Sequence, residues 1–136
     1  MNQRAMLAAV LPALLLTACT SGDVTAAPTP TGSVTVTDCG SFKLGQSEQL
    51  PEAAIRCFVE AMQGRRPAQL KETRPTIEGD PIHFTYRTDA TGRVEVVTDS
   101  REDSYGNQTV TRQICTGPVV RLAPLSFSGC SSAASG

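Results

Sequence analysis

Six side chains suited to acid/base chemistry lie in two short groups of the sequence. The groups are Glu78, Asp80 and His83, and then Asp99, Glu102 and Asp103. If the fold brings the groups together, one carboxylic acid could hold a proton while its neighbour stays ionised, as a general acid and a general base require. His83 is the only histidine of the chain. A small hydrolase that uses an acidic cluster with His83 is therefore one hypothesis.

The longer motifs of common enzyme classes do not occur in the sequence. There is no G-x-S-x-G nucleophile elbow, no H-E-x-x-H metal motif, no P-loop and no dinucleotide-binding glycine pattern. His83 precedes Phe84 in an alternating segment, where a histidine is more often a surface residue than a catalytic base. We therefore assign no catalytic residue and favour a binding protein over an enzyme.

The second acidic group is also a candidate metal site. Asp99, Glu102 and Asp103 would be its ligands, because Ca²⁺ prefers oxygen atoms. The spacing does not fit an EF-hand, since Arg101 occupies the third position. The alternative is a solvated loop in which Asp99 and Asp103 cap turns. We favour that alternative and predict no cofactor.

The same loop, residues 99–107, is the longest polar interruption in the second half of the chain. Recognition residues tend to lie on such loops, and Tyr and Arg are the residue types that dominate binding energies. Arg101 and Tyr105 are therefore the candidate partner-binding residues. The alternative for Tyr105 is that it folds back and covers a hydrophobic edge, and the sequence leaves both options open.

Four of the five cysteines predict a disulfide framework. They are Cys39, Cys57, Cys115 and Cys130, and their spacings of 18, 58 and 15 residues are unlike the close pairs of a zinc site. Four cysteines allow three connectivities. Short loops favour Cys39–Cys57 with Cys115–Cys130, and each bridge would contribute about 3 kcal/mol in the chain-entropy model.

One helix must position part of these residues. From Leu50 the apolar side chains recur at spacings of three and four, which predicts an amphipathic helix. Pro51 suits its first turn, and Gly64 is predicted to end it as a left-handed cap. A second, short helical turn is predicted over residues 67–72, because Pro75 prevents a longer one.

Alternating segments follow the helix and predict strands. The predicted strands are residues 82–87, 93–98, 108–116 and one within 119–130. Gly79 can supply a positive φ for the turn before the first strand, and residues 89–92 form a hairpin turn. Together these elements predict an α+β fold, with one main helix on a small antiparallel sheet of about four to five strands braced by two disulfides.

Composition limits the classes of partner. The formal net charge is −1, and removal of residues 1–18 would take away Arg4 and no acidic residue, giving −2. Lys and Arg are scattered singly apart from Arg65 and Arg66, so no basic patch indicates nucleic acid. The chain has no Trp and only six Phe and Tyr residues, which predicts one small domain that needs its disulfides.

The segment Leu16-Thr17-Ala18-Cys19 resembles the lipobox of bacterial lipoproteins. It follows an apolar run of residues 5–16, interrupted only by Pro12, which is shorter than the about 20 residues of a transmembrane helix. The resemblance implies that residues 1–18 are a cleaved signal peptide. It also implies that Cys19 receives a diacylglycerol by a thioether and can take a further acyl chain on its amino group.

The resemblance implies a location as well. The chain would be anchored by Cys19 in the lipid of the cell membrane, on the extracytoplasmic face. Residues 19–37 are rich in Thr, Ser and Pro and predict a flexible tether that spans roughly 20 to 25 Å. Residues 38–130 would then form the globular domain, and residues 131–136 a disordered tail.

Three further motifs resemble an uncharacterised domain family of exported proteins and lipoproteins in Gram-positive bacteria. They are T-I-E-G-D-P-I at residues 76–82, D-S-R-E-D-S-Y-G at 99–106, and Cys115 with G-C at 129–130. The resemblance covers residues 55–130 and implies location and domain boundaries, without an activity or a ligand. It also places Cys115 with Cys130. We expect a lipid-anchored binding domain whose partner is an envelope protein or a cell-wall component; a cell-envelope hydrolase is the alternative.

Overall fold

The computed structural model describes residues 34–117 and 119–133. The predicted signal peptide, Cys19 and residues 20–33 of the predicted tether lie outside these residues. The described part contains the helix α1 (Glu52–Gln63) and eight strands. The strands are β1 (Thr37–Lys43), β2 (Ala68–Pro75), β3 (Pro81–Thr88), β4 (Val94–Asp99), β5 (Val110–Cys115), β6 (Val119–Leu122), β7 (Leu125–Phe127) and β8 (Cys130–Ser132).

The α+β class is confirmed, and the sheet is larger than predicted. Six strands form it in the order β1-β2-β3-β4-β5-β8, while β6 and β7 form a separate hairpin. β1 runs parallel to β2, and the other neighbours are antiparallel. The strands of this sheet that the sequence did not predict are β1 and β2. Because the helix carries the chain back between β1 and β2, those two strands are parallel and the sheet is mixed.

The predicted helical turn over residues 67–72 is wrong, because this segment belongs to β2. Ala68, Leu70 and Glu72 are buried in alternation, which is the burial pattern of a strand with one covered face. A buried glutamate at the third of these positions hides the apolar alternation from a sequence reading.

The end of the chain also differs from the prediction. Residues 119–130 hold three short strands in place of one, because a turn at Ala123-Pro124 separates β6 from β7 and a second turn separates β7 from β8. β8 extends to Ser132, and the Ala133 amide donates to the Arg112 carbonyl. The start of the predicted tail, residues 131–133, is therefore held against β5, and Thr37 of the predicted tether belongs to β1.

The helix occurs where its apolar periodicity predicts it, but its end differs by one residue. Gly64 has φ −78°, and the positive φ of 51° falls on Arg65. The Gly64 amide still donates to the Glu60 carbonyl as in a helix, and the Arg66 amide closes the end by donating to the Ala61 carbonyl. The predicted left-handed cap at Gly64 is therefore wrong. Among the described residues, no helix is long and apolar enough to span a membrane.

The core lies between the sheet and a layer formed by α1 and the β6–β7 hairpin. Three rings fill its centre, from Phe58 of α1, Tyr86 of β3 and Phe127 of β7, with centroids 6.2 to 6.3 Å apart. Phe58 and Tyr86 are fully buried. Aromatic burial of this kind is the main apolar contribution available to a chain without Trp.

Both disulfides of the favoured connectivity are present, which confirms the prediction. Cys39–Cys57 ties β1 to α1, and Cys115–Cys130 joins β5 to β8. Each bridge fastens an element at an edge of the sheet to its neighbour. A domain with a small core gains most from cross-links at such weakly held elements.

The face of the sheet opposite α1 is called the outer face here. The sheet itself has two ends, which are named by the residues of β1. Cross-strand partners at one end, the Thr37 end, are Thr37, Ala68, Thr88, Val94 and Cys115. Partners at the other end, the Lys43 end, are Lys43, Thr73, His83, Asp99 and Val110. The two rows are five residues apart on β2, which corresponds to roughly 17 Å. The acidic groups predicted from sequence lie at the Lys43 end.

Candidate functional site

The loop that joins β4 to β5 at the Lys43 end is held by its own side chains. Ser100 and Thr109 close its base, since the Ser100 amide and hydroxyl both donate to the Thr109 carbonyl at 2.9 Å. Asp103 Oδ1 accepts from the amides of Tyr105 and Gly106, at 3.1 and 3.0 Å. The prediction that Asp103 caps a turn is therefore confirmed. These hydrogen bonds within the loop hold it in a defined conformation.

Tyr105 projects from this loop into solvent. Its exposed fraction is 79%, so the alternative in which it covers a hydrophobic edge is wrong. The neighbouring Arg101 side chain is 68% exposed, and its guanidinium grips Asp99 with Nε–Oδ1 at 2.9 Å and Nη2–Oδ2 at 2.6 Å. The loop thus presents an exposed aromatic ring and an exposed arginine whose guanidinium is paired with Asp99.

The hydrogen bonds between Arg101 and Asp99 shift the pKa values of both groups. The hydrogen bond from the Arg101 side chain is the main cause that lowers the pKa of Asp99 to about 2, and the same contact raises the pKa of Arg101. Both groups are therefore ionised across the physiological range. Asp99 also caps the turn with an acceptor for the Arg101 amide at 3.1 Å, as predicted.

His83 lies beside the loop and links two neighbours. Its Nδ1 is 2.9 Å from Thr73 Oγ1, and its Nε2 is 3.0 Å from Glu102 Oε1. A hydroxyl, an imidazole and a carboxylate in this order are the parts of a nucleophile–base–acid relay. The same contacts have a structural cause, because Thr73 and His83 are cross-strand partners in the β2–β3 register. Glu102 is the only one of the three that comes from a loop.

The fold brings only some members of the two acidic groups close together. Asp80 Oδ2 accepts from the Ser104 amide at 2.7 Å, which ties the turn before β3 to the loop. Glu78 is exposed in that turn. Each remaining carboxylate is already engaged by a donor of the chain: Asp99 by Arg101, Asp103 by loop amides and Glu102 by His83. The carboxylates therefore brace the loop and do not share a proton.

The candidate metal ligands do not converge. Asp99, Glu102 and Asp103 bind three different partners, and within residues 34–117 and 119–133 no group of three or more His, Cys, Asp or Glu side chains is placed to hold a metal ion. The metal hypothesis for this loop is therefore wrong for the described structure. Its oxygen atoms satisfy backbone amides and cations, which is the solvated-loop alternative.

A shallow groove of about 290 Å³ opens on the outer face beside His83. Its floor is the backbone row of Phe42, Glu72 and Phe84, whose side chains turn to the other face of the sheet. Side chains of two rows form its rims: Ser41, Lys71 and Thr85 on one side, and Lys43, Thr73 and His83 on the other. Of the six candidates for acid/base chemistry, His83 alone lines this groove.

Sequence reasoning missed the groove because it missed the strand pairing. Lys43 precedes the helix and Lys71 follows it, and only the parallel pairing of β1 with β2 brings them together. The available signal was composition, since Lys43 and Lys71 are the only two lysines of the chain. Without β1 in the sheet, their spacing in sequence gives no reason to group them.

The sequence analysis also missed a buried polar cluster, which is centred on Glu72. Glu72 is 1% exposed, and its carboxylate accepts from Tyr86 Oη at 2.6 Å, from Arg74 Nε at 2.7 Å and from the Leu125 amide at 3.2 Å. Burial, and then the hydrogen bond to Glu72, raise the pKa of Tyr86, so its hydroxyl stays a donor. Because Leu125 begins β7, this cluster fastens the hairpin to the sheet.

The chain matches no family model, no curated protein and no solved structure. The resemblance of its motifs to a family of exported Gram-positive proteins therefore stays a prediction. The functional argument rests on the geometry of the loop, the outer face and the groove.

Proposed function

We propose that the chain is a lipoprotein, anchored in the cell membrane by lipid on Cys19, whose domain binds a protein or a cell-wall component of the envelope. The binding surface in this proposal is the β4–β5 loop with Arg101 and Tyr105. The observation that carries it is the exposure of Tyr105, at 79%, on a loop that the chain itself holds in place.

An exposed tyrosine on a fixed loop is suited to recognition for two reasons. Its ring offers a large apolar area together with a hydroxyl, at a low entropic cost on binding. The loop adds little to that cost, because its turns already hold their conformation through Asp103 and Ser100. Arg101 adds a cation whose orientation Asp99 fixes. These features favour a specific partner over a flexible, unselective contact.

The ends of the sheet also support the proposal. The tether would join the domain before Thr37, and the β4–β5 loop lies at the Lys43 end, roughly 17 Å along the strands. Within the domain, the loop therefore lies at the opposite end of the strands from the start of β1. With a tether of roughly 20 to 25 Å, the loop would reach partners beyond the lipid headgroups.

A second candidate function, hydrolysis in the envelope, is supported by the chain of contacts from Thr73 through His83 to Glu102. In it the Thr73 hydroxyl would attack an acyl carbon, and His83 would take the hydroxyl proton and return it to the leaving group. Water would then cleave the acyl–Thr73 ester, with His83 taking its proton and returning it to the Thr73 oxygen. Binding is favoured over it, because His83 and Glu102 are largely open to water, at 42% and 65% of their side chains. Screening by water weakens the polarisation that such a relay requires.

The binding proposal is tested by comparing two double variants of the full chain. Arg101→Ala with Tyr105→Ala should weaken crosslinking to a partner in its own membranes by at least about tenfold, since two central contacts are lost. Stability should change by less than about 1 kcal/mol, as for other surface substitutions. The matched control, Val120→Ala with Arg121→Ala, removes another exposed apolar residue and cation on β6. Equal crosslinking by wild type and the loop variant would refute the proposed surface.

A further inference from the structure

The groove on the outer face carries an unbalanced positive charge. Lys43 and Lys71 stand on opposite rims, from neighbouring strands, and both are exposed. Across the described residues 34–117 and 119–133, neither lysine forms an ion pair within 4 Å. Both lysines of the chain therefore lie at this one shallow groove.

The other cations of the outer face behave differently. Arg87 donates to Glu95 Oε2 at 3.2 Å, and Arg112 donates to Glu95 Oε1 at 2.8 Å. Arg87 also donates to Gln69 Oε1 at 3.2 Å. These paired side chains extend from β2 to β5 next to the groove. Arg87 and Arg112 share the Glu95 carboxylate, whereas the two lysines have no ion-pair partner among the described residues.

We infer that the groove binds a phosphodiester group of an anionic polymer in the cell envelope. An ammonium group is a compact point charge with three donors, and lysine binds phosphate groups in this way. The hydroxyls of Ser41 and Thr85 line the same groove as further donors. Its volume of about 290 Å³ is at the small end of ligand pockets, which suits one phosphodiester unit.

The Glu102 carboxylate contacts the nitrogen of the His83 ring that does not face Thr73. Glu102 reaches His83 at Nε2, while Nδ1 of the same ring contacts Thr73, whose side chain lines the groove. The imidazole therefore lies between the carboxylate and the groove. Glu72 contributes backbone to the floor, and its carboxylate is engaged by Tyr86 and Arg74 on the other side of the sheet.

The source of the phosphate rests on the proposed function, in which the domain lies on the extracytoplasmic face of the cell membrane and meets the polymers of the envelope. Lys43 is the last residue of β1, so the groove opens at the end of the sheet opposite Thr37, as the β4–β5 loop does. We therefore assign the phosphodiester to a polymer of the envelope, which the loop and the groove would meet at the same end of the domain.

The test measures binding of the full chain in detergent micelles to poly(glycerol phosphate). Lys43→Gln with Lys71→Gln should weaken this binding by at least about tenfold, because charge-assisted contacts are lost on both rims. Arg56→Gln with Arg121→Gln is the matched control. It removes two exposed cations that lie on α1 and β6, on the opposite side of the sheet, and should change the affinity less than about threefold.

Three outcomes would overturn the inference. The first is no measurable binding of the wild-type chain to the polymer, and the second is an equal loss in both double variants, which would show unspecific attraction to charge. The third is binding to phosphatidylglycerol vesicles that is as strong as binding to the polymer and equally sensitive to the lysine substitutions, which would assign the site to headgroups. Retained polymer binding in the Arg101→Ala, Tyr105→Ala variant would separate this site from the loop of the proposed function.

Discussion

At the scale of single residues, the two tyrosines of the chain have opposite roles. Tyr86 is fully buried and donates to the Glu72 carboxylate, whereas Tyr105 is 79% exposed. Glu72 lies in the core because three donors replace the water that it loses, and these donors come from β2, β3 and β7. The Nη2 atom of Arg74 is buried without a hydrogen-bond partner among the described residues. The cluster therefore depends on each of its remaining bonds.

The tyrosine pair allows a matched test of that dependence. Tyr86→Phe removes only the hydroxyl, leaves the ring in the aromatic core and deprives a buried carboxylate of its shortest bond. We expect the free energy of unfolding to fall by about 1 to 3 kcal/mol. Tyr105→Phe is the control and should change it by less than about 0.5 kcal/mol. Urea unfolding of both variants measures the difference, and equal effects would contradict the role of the cluster.

Asp89 in the β3–β4 turn carries a prediction about pH. Its carboxylate accepts from Thr91 Oγ1 at 2.6 Å and from the Thr91 amide at 2.8 Å, and these bonds lower its pKa from 3.8 to about 2. A folded pKa below the unfolded value adds stability above pH 3.8, which is lost as the pH falls through about 2. The stability difference between wild type and Asp89→Asn should therefore be constant above about pH 5 and shrink towards pH 2.

Chemical denaturation across this pH range checks the expectation. Asp99, whose pKa is also lowered to about 2, is present in both proteins, so its contribution cancels in the difference. A stability difference that stays unchanged down to pH 2 would mean that the Asp89 carboxylate gains nothing from the turn in the folded protein.

At the scale of elements, the sequence predicts segments with clean periodicity and fails where a special residue interrupts it. The helix and strands β3 and β4 follow their apolar patterns, since each buries one face on the common core, whereas β5 occurs as predicted but buries only Cys115. β2 was not predicted, because its buried Glu72 is a polar residue that interrupts the apolar alternation. Its neighbour β1 was not part of the predicted sheet either. The candidate site follows the same division. The loop residues Arg101 and Tyr105 could be predicted from composition, whereas the groove could not, because it depends on the pairing of β1 with β2.

β1 itself holds a bulge that only glycine accommodates well. The register with β2 shifts between Asp38 and Ser41, and Gly40 between them has φ +107°. A bulge with a charged neighbour is a common way to protect an edge strand from pairing with another molecule. A Cβ atom at Gly40 would lie 2.8 Å from the Phe42 ring. The position therefore combines a backbone and a packing requirement.

Gly79 provides the matched control for these two requirements. Its φ is +103°, which confirms the predicted positive φ, and a Cβ atom there would meet nothing within 4 Å. Gly79→Ala should cost about 1 to 2 kcal/mol from backbone strain alone. Gly40→Ala should cost about 1 kcal/mol more, because the Phe42 ring must move. Thermal unfolding of both variants measures the two costs, and equal values would show that Phe42 yields freely.

At the scale of the whole molecule, the start of β1 and the proposed binding features lie at opposite ends of the sheet. The segment that precedes β1 enters at the Thr37 end, whereas the β4–β5 loop and the lysine groove share the Lys43 end. The sequence predicts the loop, because a polar interruption is a local feature. Its distance from the start of β1 depends on the register of five paired strands, which the folded structure provides.

Replacing the proposed lipid acceptor tests the attachment end. In the proposal, the Cys19 thiol both receives the diacylglycerol and marks the cleavage position, so Cys19→Ala should accumulate as an unprocessed precursor or leave the membrane fraction. Thr20→Ala keeps the thiol and should behave as wild type. Detergent phase partition and the apparent mass of each variant give the result. A Cys19→Ala chain of mature size that still enters the detergent phase would show that Cys19 is not the lipid acceptor. An envelope polymer would then lose its support as the source of the phosphate, while the geometry of the groove would stand.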